Sequence, residues 1–342
     1  MKKTSIFLLT SIILAMTLTL SGCAGKRPAS GMPDWINGNS SQYPNSQYLI
    51  GRGQGEYAAT ARDRARADLA KIFEVNIDEQ SKDITEYSRT GSGEQAQTSL
   101  KSSASRQIAT RTEQTLSNIE IAEVWTDPKS GQHHALAVMD RLKAGQSLRE
   151  DIQQLDRLTG EAIADAKQQN DVLLKLGDAS RAVEAQLQRR ALQRQLQVID
   201  PAGMGVPGSY SLGKLIQDRN ALAQRLSIET RVVQDASGQL QTIIDGALAE
   251  AGFRHTKGNA DYLLDAVLSL APFTDKGWHW YQGTLTITLK SQPDNAVRGS
   301  YRWDIKQAST QDSVARKRVL DSLDSRLKDE LRQVIIGFAN PQ

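Results

Sequence analysis

With 342 residues, 42 of them basic and 39 acidic, the chain has a formal charge of only +3, too weak a field for nucleic acid to be a natural partner. A single cysteine excludes an internal disulfide framework and any zinc site built from several thiolates. The length exceeds what one hydrophobic core usually organises, so two domains are expected.

The chain begins with Lys2 and Lys3, continues with an apolar run over 6–20, and ends that run in Leu20-Ser21-Gly22-Cys23. A basic start, an apolar centre and small residues before a cleavage point form a secretory signal. The run is too short for a comfortable membrane span. Residues 1–22 are therefore read as a signal peptide. Their ending resembles the lipobox of bacterial lipoproteins, whose cysteine receives a diacylglycerol, becomes the mature N-terminus and is usually N-acylated. That resemblance makes Cys23 a lipidation site and leaves the mature chain without a free thiol. Loss of Lys2 and Lys3 brings its formal charge to +1. An ordinary secretory signal or an uncleaved buried helix is the alternative. Each acyl methylene adds about 0.8 kcal/mol of membrane affinity, so several chains would hold the protein essentially permanently. Ala24 stands where aspartate is the usual retention signal for the inner membrane. The resemblance thus implies the outer membrane of a Gram-negative cell, with the folded part facing the periplasm.

Residues 23–47 are rich in Gly, Pro, Ser and Asn and read as a lipidated flexible tether. Trp35 stands out in it, either as a contact for a partner or lipid headgroups, or folded back onto the first domain. That domain is expected over 48–141. Tyr48-Leu49-Ile50 starts a strand, Gly51, Gly53 and Gly55 follow, and Ala58, Ala61, Ala65, Leu69 and Ile72 then fall at helical spacing. Alternation at Phe73, Val75 and Ile77 predicts a strand, and Gly91-Ser92-Gly93-Glu94 a loop. Residues 119–126 and 134–139 form a hairpin around Asp127-Pro128-Lys129-Ser130-Gly131.

Trp35 in its proline-flanked leader, Tyr48-Leu49-Ile50-Gly51-Arg52-Gly53 and the alanine-rich stretch Ala61-Arg62-Asp63-Arg64-Ala65-Arg66-Ala67-Asp68-Leu69-Ala70 together resemble the LPP-20-like family of outer-membrane lipoproteins. The resemblance spans roughly residues 33–141. It implies location and fold, brings no catalytic residue, and implies a link to flagella, since related domains occur in flagellar outer-membrane lipoproteins and assembly proteins.

Residues 142–200 are long, charged and almost free of glycine, with one apolar stripe at Leu148, Ile152, Leu155, Ala162 and Ala166 and another at Leu173, Leu176, Val183 and Leu187. They predict a helical hairpin turning at Gly177-Asp178, with Asn170-Asp171 as the other corner. It could dock on either domain or on a second copy of the chain, so the oligomeric state is open. Pro201, Pro207 and three glycines mark a linker at 201–210. The second domain, 211–342, opens with a short helix at 211–226 and then reads β-α-β-β-β-α. Its strands are expected at 228–233, 262–270, 280–289 and 297–305. Its first long helix carries Leu240, Ile244 and Leu248 and stops at Gly252, and its last carries Ala315, Val319, Leu323, Leu327, Leu331, Val334 and Phe338 inward. Val297, Tyr301, Trp303 and Ile305 are expected to share one face. The predicted fold class is α+β: two small antiparallel-sheet and helix domains joined by a long helical hairpin, behind a signal peptide and tether. The second domain's order is similar to periplasmic lipoprotein domains that assist envelope assembly or regulate peptidoglycan synthases.

The chemistry is sparse. Gly51, Gly53 and Gly55 sit where a dinucleotide fingerprint would, but the third glycine of that fingerprint belongs at 56, which is Glu56 and would repel a pyrophosphate. Close backbone packing is the simpler use of these glycines. His133 and His134 are adjacent on a strand and face opposite ways, and His255 and His279 flank the second sheet without a local carboxylate cluster. No Gly-x-Ser-x-Gly elbow is present. No catalytic residue, cofactor or metal is therefore expected. Trp278-His279-Trp280-Tyr281 is the densest aromatic run. Alternation puts Trp278 and Trp280 with Thr284, Thr286 and Thr288 on an outer face, opposite Tyr281, Leu285, Ile287 and Leu289. Such a pair suits a partner surface or a glycan-stacking platform; burial beneath the helices at 142–199 is the alternative. The expected function is that of a non-catalytic outer-membrane lipoprotein that scaffolds or assists an envelope assembly, flagellar or otherwise. A binding module for peptidoglycan or a small ligand, or a regulator of a cell-wall synthase, is the alternative.

Overall fold

The computed structural model describes residues 31–72, 115–292 and 294–339. The signal peptide, Cys23, the first part of the tether, the strand expected at 73–77 and the loop at 91–94 lie outside them.

The first sheet has three antiparallel strands, β1 (Tyr48–Gly55), β2 (Glu120–Thr126) and β3 (His133–Asp140), in the order β1-β3-β2. The glycines do not follow the first strand; they are part of it. Gly51 pairs with Ala137 and Gly53 with Ala135, giving a strip of backbone and methyl groups against which helix α1 (residues 58–72) lies. Ala61, Ala65 and Leu69 are wholly buried against this strip. A β-carbon on Gly51 would come 2.8 Å from that of Leu69, and one on Gly53 would strike the backbone of Ala61 and Ala65. The triple glycine thus serves close approach of helix to strand.

The opposite face of this sheet is covered by residues read from composition as tether. A single 3₁₀ turn, Asp34–Ile36, seats Trp35 against Leu136 and Val138. The Trp35 indole N–H donates to Glu123 Oε2 at 2.6 Å, and the Trp35 carbonyl accepts from Arg52 Nε at 2.6 Å. A second Arg52 nitrogen donates to the carbonyl of Gly38. The chain over 34–47 is therefore lodged on the sheet rather than free.

Two 28-residue helices follow, α2 (Arg141–Gln168) and α3 (Val172–Ile199). The corner falls at Gln169 to Asp171, not at Gly177-Asp178, which lie buried inside α3. Asp171 caps α3 by accepting from the N–H groups of Leu173 and Leu174 at 2.8 and 3.2 Å, which satisfies two donors that a helix start leaves open. Helix α3 belongs to both cores. Leu192, Leu196 and Ile199 pack with Ala61, Leu69 and Met139 under the first sheet, while Leu173 and Leu176 pack under the second. The linker that follows is strapped back onto α3: Arg189, paired with Asp156 at 2.9 Å, also donates to the carbonyls of Val206 and Pro207.

Helix α4 (Leu212–Arg225) leads into the second sheet, made of β4 (Ser227–Asp235), β5 (Arg254–His255), β6 (Tyr262–Asp275), β7 (Trp278–Ser291) and β8 (Val297–Ser309) in the order β5-β4-β6-β7-β8. Helices α5 (Leu240–Glu250) and α6 (Asp312–Gly337) cover one face. This sheet is mixed, not antiparallel: β4 runs parallel to both β5 and β6. The cause is α5, which returns the chain across the sheet so that the next strand starts from the same end as β4.

Two further expectations are corrected. Val297 does not share the buried face of Trp303 and Ile305. A register shift at Leu289/Lys290 sets Val297 opposite Lys290, and it is exposed. Strands β6 and β7 also run to a two-residue turn at Lys276-Gly277, both with positive φ, well past the ends read at 270 and 280. Strand β6 runs on over 269–275 beyond Leu268, its last residue paired with β4, through Asp235. Pro272 sits on that unaccompanied stretch, where a missing N–H costs no ladder bond.

Candidate functional site

The aromatic run of the sequence lies at the free end of the β6–β7 hairpin, on the sheet face that carries no helix. Phe273 pairs with Trp280 and Asp275 with Trp278, so Phe273, Trp278 and Trp280 project to one side. Phe273 and Trp278 are 45% and 44% exposed, unusually high for rings of their size. Trp280 is half-buried because its ring is occupied from both flanking strands. Phe273 of β6 stacks on it at 5.9 Å and 5°, and Lys306 of β8 sets its ammonium 5.2 Å from the ring centroid.

Behind this patch, Thr284, Thr286 and Thr288 run down β7 as the alternation requires, while Tyr281, Leu285, Ile287 and Leu289 are buried on the other side. The Tyr281 hydroxyl donates to Asp312 at 2.8 Å and accepts from Arg316 at 3.1 Å, which ties the hairpin to the start of α6. Farther along the same open face, Arg231 forks onto Asp265 at 2.7 and 2.8 Å and Lys290 joins it at 2.7 Å. Burial works against the Asp265 charge, but the two cations outweigh it and hold its carboxyl below the usual range. The open face therefore grades from a base where charges are paired through Asp265 to an aromatic tip that carries Lys306. The helices at 142–199 do not cover the tryptophans. Sequence reasoning missed Phe273 and Lys306 because Pro272 reads as the end of a strand. Continuing the alternation through Pro272 to the Lys276-Gly277 turn would have put Phe273 opposite Trp280.

The histidines do not assemble. His133 Nδ1 meets Thr126 Oγ1 at 2.9 Å and His134 tilts against Trp125. Thr230, Asp245 and His255 do converge, with the Thr230 hydroxyl 2.7 Å from Asp245 Oδ1 and 3.2 Å from His255 Nε2. However, His255 also faces Asp245 through Nε2, at 3.5 Å. One ring nitrogen cannot both take a hydroxyl proton and be held by the carboxylate, so this is not the geometry of a nucleophilic triad. Among the described residues no three of His, Cys, Asp and Glu come close enough to hold a metal ion, and no helix is long and apolar enough to cross a membrane.

The buried Trp35 and the seam of Gly51 and Gly53 against Ala61, Ala65 and Leu69 give the N-terminal pattern its structural meaning. Residues 33–140 match the LPP20 lipoprotein family. The LPP20 region covers the first sheet and stops where α2 begins, so the aromatic hairpin lies outside it. No curated protein matches the chain. Among solved structures, the secreted protein HP1454 from Helicobacter pylori is similar at 13% identity and a TM-score of 0.38, over 86% of this chain and 98% of that one. A minor lipoprotein from Acinetobacter baumannii is similar at 13% identity and a TM-score of 0.25, over 33% and 90%. Protein XCC0632 from Xanthomonas campestris is similar at 12% identity and a TM-score of 0.27, over 32% and 84%. Likenesses of this size have no bearing on function.

Proposed function

We propose that this protein is a non-catalytic lipoprotein, anchored through Cys23 in the outer membrane and facing the periplasm, that assists an envelope assembly by docking a protein partner on the tip of the β6–β7 hairpin. The observation that carries this reading is the exposed Phe273 and Trp278 beside a Trp280 held rigid between Phe273 and Lys306. Ordered aromatic rings supply contact area at small entropic cost and are the typical anchors of interfaces. The LPP20 match supports the anchor, and the flagellar links implied by the family resemblance make the flagellar base the first assembly to test.

A photoreactive amino acid placed at position 275, opposite Trp278 across the hairpin, in the otherwise native lipoprotein should capture one defined envelope protein in cells. Capture of lipid alone would overturn the reading. Mass spectrometry of the mature N-terminus tests the anchor, which requires an acylated Cys23. The glycan-binding alternative predicts co-sedimentation with cell-wall sacculi that Trp278→Ala abolishes. Trp280 is poorly placed for it, since Phe273 and Lys306 occupy the ring that a sugar would stack on.

A further inference from the structure

A concave site lies away from the hairpin tip, where α4 closes over the α2–α3 hairpin near its corner. The cleft has a volume of about 680 Å³, within the range of small-molecule sites and too small for a helix or a folded partner. Its floor is apolar, with Ala166 of α2, Ala179 of α3 and Leu215 and Leu222 of α4. The short alanine side chains leave this space open, where larger ones would fill it. Tyr210 forms one wall, its hydroxyl 2.8 Å from where a β-carbon on Gly160 would stand.

The rim has the opposite character. Lys167, Lys175, Lys214 and Arg225 surround the cleft, against the single carboxylate of Asp218. Asp218 is already bonded to Lys214 at 2.6 Å. Lys167, Lys175 and Arg225 have no ion pair among the described residues. Three uncompensated cations around an apolar floor fit one chemistry, a ligand with an anionic head and a hydrocarbon body. A compact phosphate or nucleotide would leave the floor unused, and a neutral alkyl chain would leave the rim unused.

We propose that this cleft binds a single-chain anionic amphiphile of the fatty-acid type, its chain on the Ala179 and Leu215 floor and its head among Lys167, Lys175 and Arg225. The site is independent of the hairpin tip and of any partner docked there.

The test uses the whole mature chain with Cys23→Ser, so that no detergent is needed, and a fluorescent long-chain fatty acid below its critical micelle concentration. Saturable binding of one probe per chain is expected. Lys175→Glu with Arg225→Glu should weaken it about tenfold or more, the scale of one lost charge-assisted contact. The methyl ester of the same acid should be weakened to the same degree. Ala166→Trp, which fills the cleft from a half-buried position, should abolish binding while circular dichroism shows the fold retained. If that variant does not fold, the charge-reversed pair and the ester decide alone. Equal affinity for acid and ester, unchanged binding by the charge-reversed pair, or no saturable binding would each overturn the proposal.

Discussion

The hydroxyl of Tyr262, the first residue of β6, donates a 2.6 Å hydrogen bond to the Asp171 carboxylate at the corner of the helical hairpin. Asp171 also caps α3 and pairs with Arg298 at 3.1 Å. Burial and then the nearby carboxylate push the Tyr262 hydroxyl above the ordinary tyrosine range, which keeps it a donor under all mild conditions. Replacing Asp171 by alanine removes a cap, a charge-assisted hydrogen bond and an ion pair together. Asp171→Ala should cost about 2–4 kcal/mol in urea unfolding, and Tyr262→Phe about 1 kcal/mol. A double-mutant cycle should show coupling between them.

Gly53 faces the backbone of α1 with no room for a methyl group. Gly53→Ala should force α1 off the sheet and lower stability by at least about 2 kcal/mol, since the clash is with backbone and no rotamer relieves it. The melting temperature measures this directly. Gly238→Ala tests the other use of glycine. Its position has open space but a φ of +73°, and it should cost about 1 kcal/mol from conformation alone.

Arg219 of α4 and Arg332 of α6 are 6% and 3% exposed, share the Asn220 side-chain oxygen at 3.2 and 2.8 Å, and each leave Nε without a partner among the described residues. Burial, reinforced by Arg332, lowers the Arg219 guanidinium to about 9, and burial lowers that of Arg332 to about 10. Two like charges out of water oppose folding, so Arg219→Met should stabilise the protein by about 1–2 kcal/mol at neutral pH. The sign of the pH dependence follows from the shift. The unfolded chain keeps the Arg219 proton up to the ordinary, strongly basic arginine range, while the native state releases it near 9. Between those values the unfolded state binds more protons, and native stability rises with pH. The advantage of Arg219→Met should therefore be constant below pH 9 and shrink above it, as read from paired thermal melts.

At the hairpin tip the two tryptophans should separate stability from recognition. Trp280→Ala loses a stacked pair and a cation–π contact, so it should cost about 1–2 kcal/mol. Trp278→Ala should leave the melting temperature within about 0.5 kcal/mol of equivalent stability, as for other exposed positions, and still abolish partner capture.

Much of this architecture is visible in the side-chain pattern. The inward stripe of α6 from Ala315 to Leu331 is buried as its spacing requires, and the alternation in β7 sorts tryptophans from leucines correctly. The departures share a physical cause, which is that they depend on contacts remote in sequence. Gly177-Asp178 has as good a local stop-and-cap signal as Asn170-Asp171. The corner goes to Asp171 because Tyr262 and Arg298, ninety-one and more residues away, hold its carboxylate. The direction of β4 likewise depends on where α5 delivers the chain, and the reach of β6 past Pro272 on the absence of a neighbouring strand there. The candidate site was half legible for the same reason: Trp278 and Trp280 lie two residues apart in sequence, whereas Phe273 and Lys306 reach them only across the strand pairing.

The unaccompanied stretch of β6 beyond Leu268 carries a hazard as well as a site, since any lone β-edge invites another chain to zip onto it. Pro272 withholds a donor in the middle of that edge, so two copies that collide there cannot extend a shared ladder. Exposed apolar surface is thereby confined to the rings and kept from the main chain, which works against copies of the chain seeding fibres of themselves.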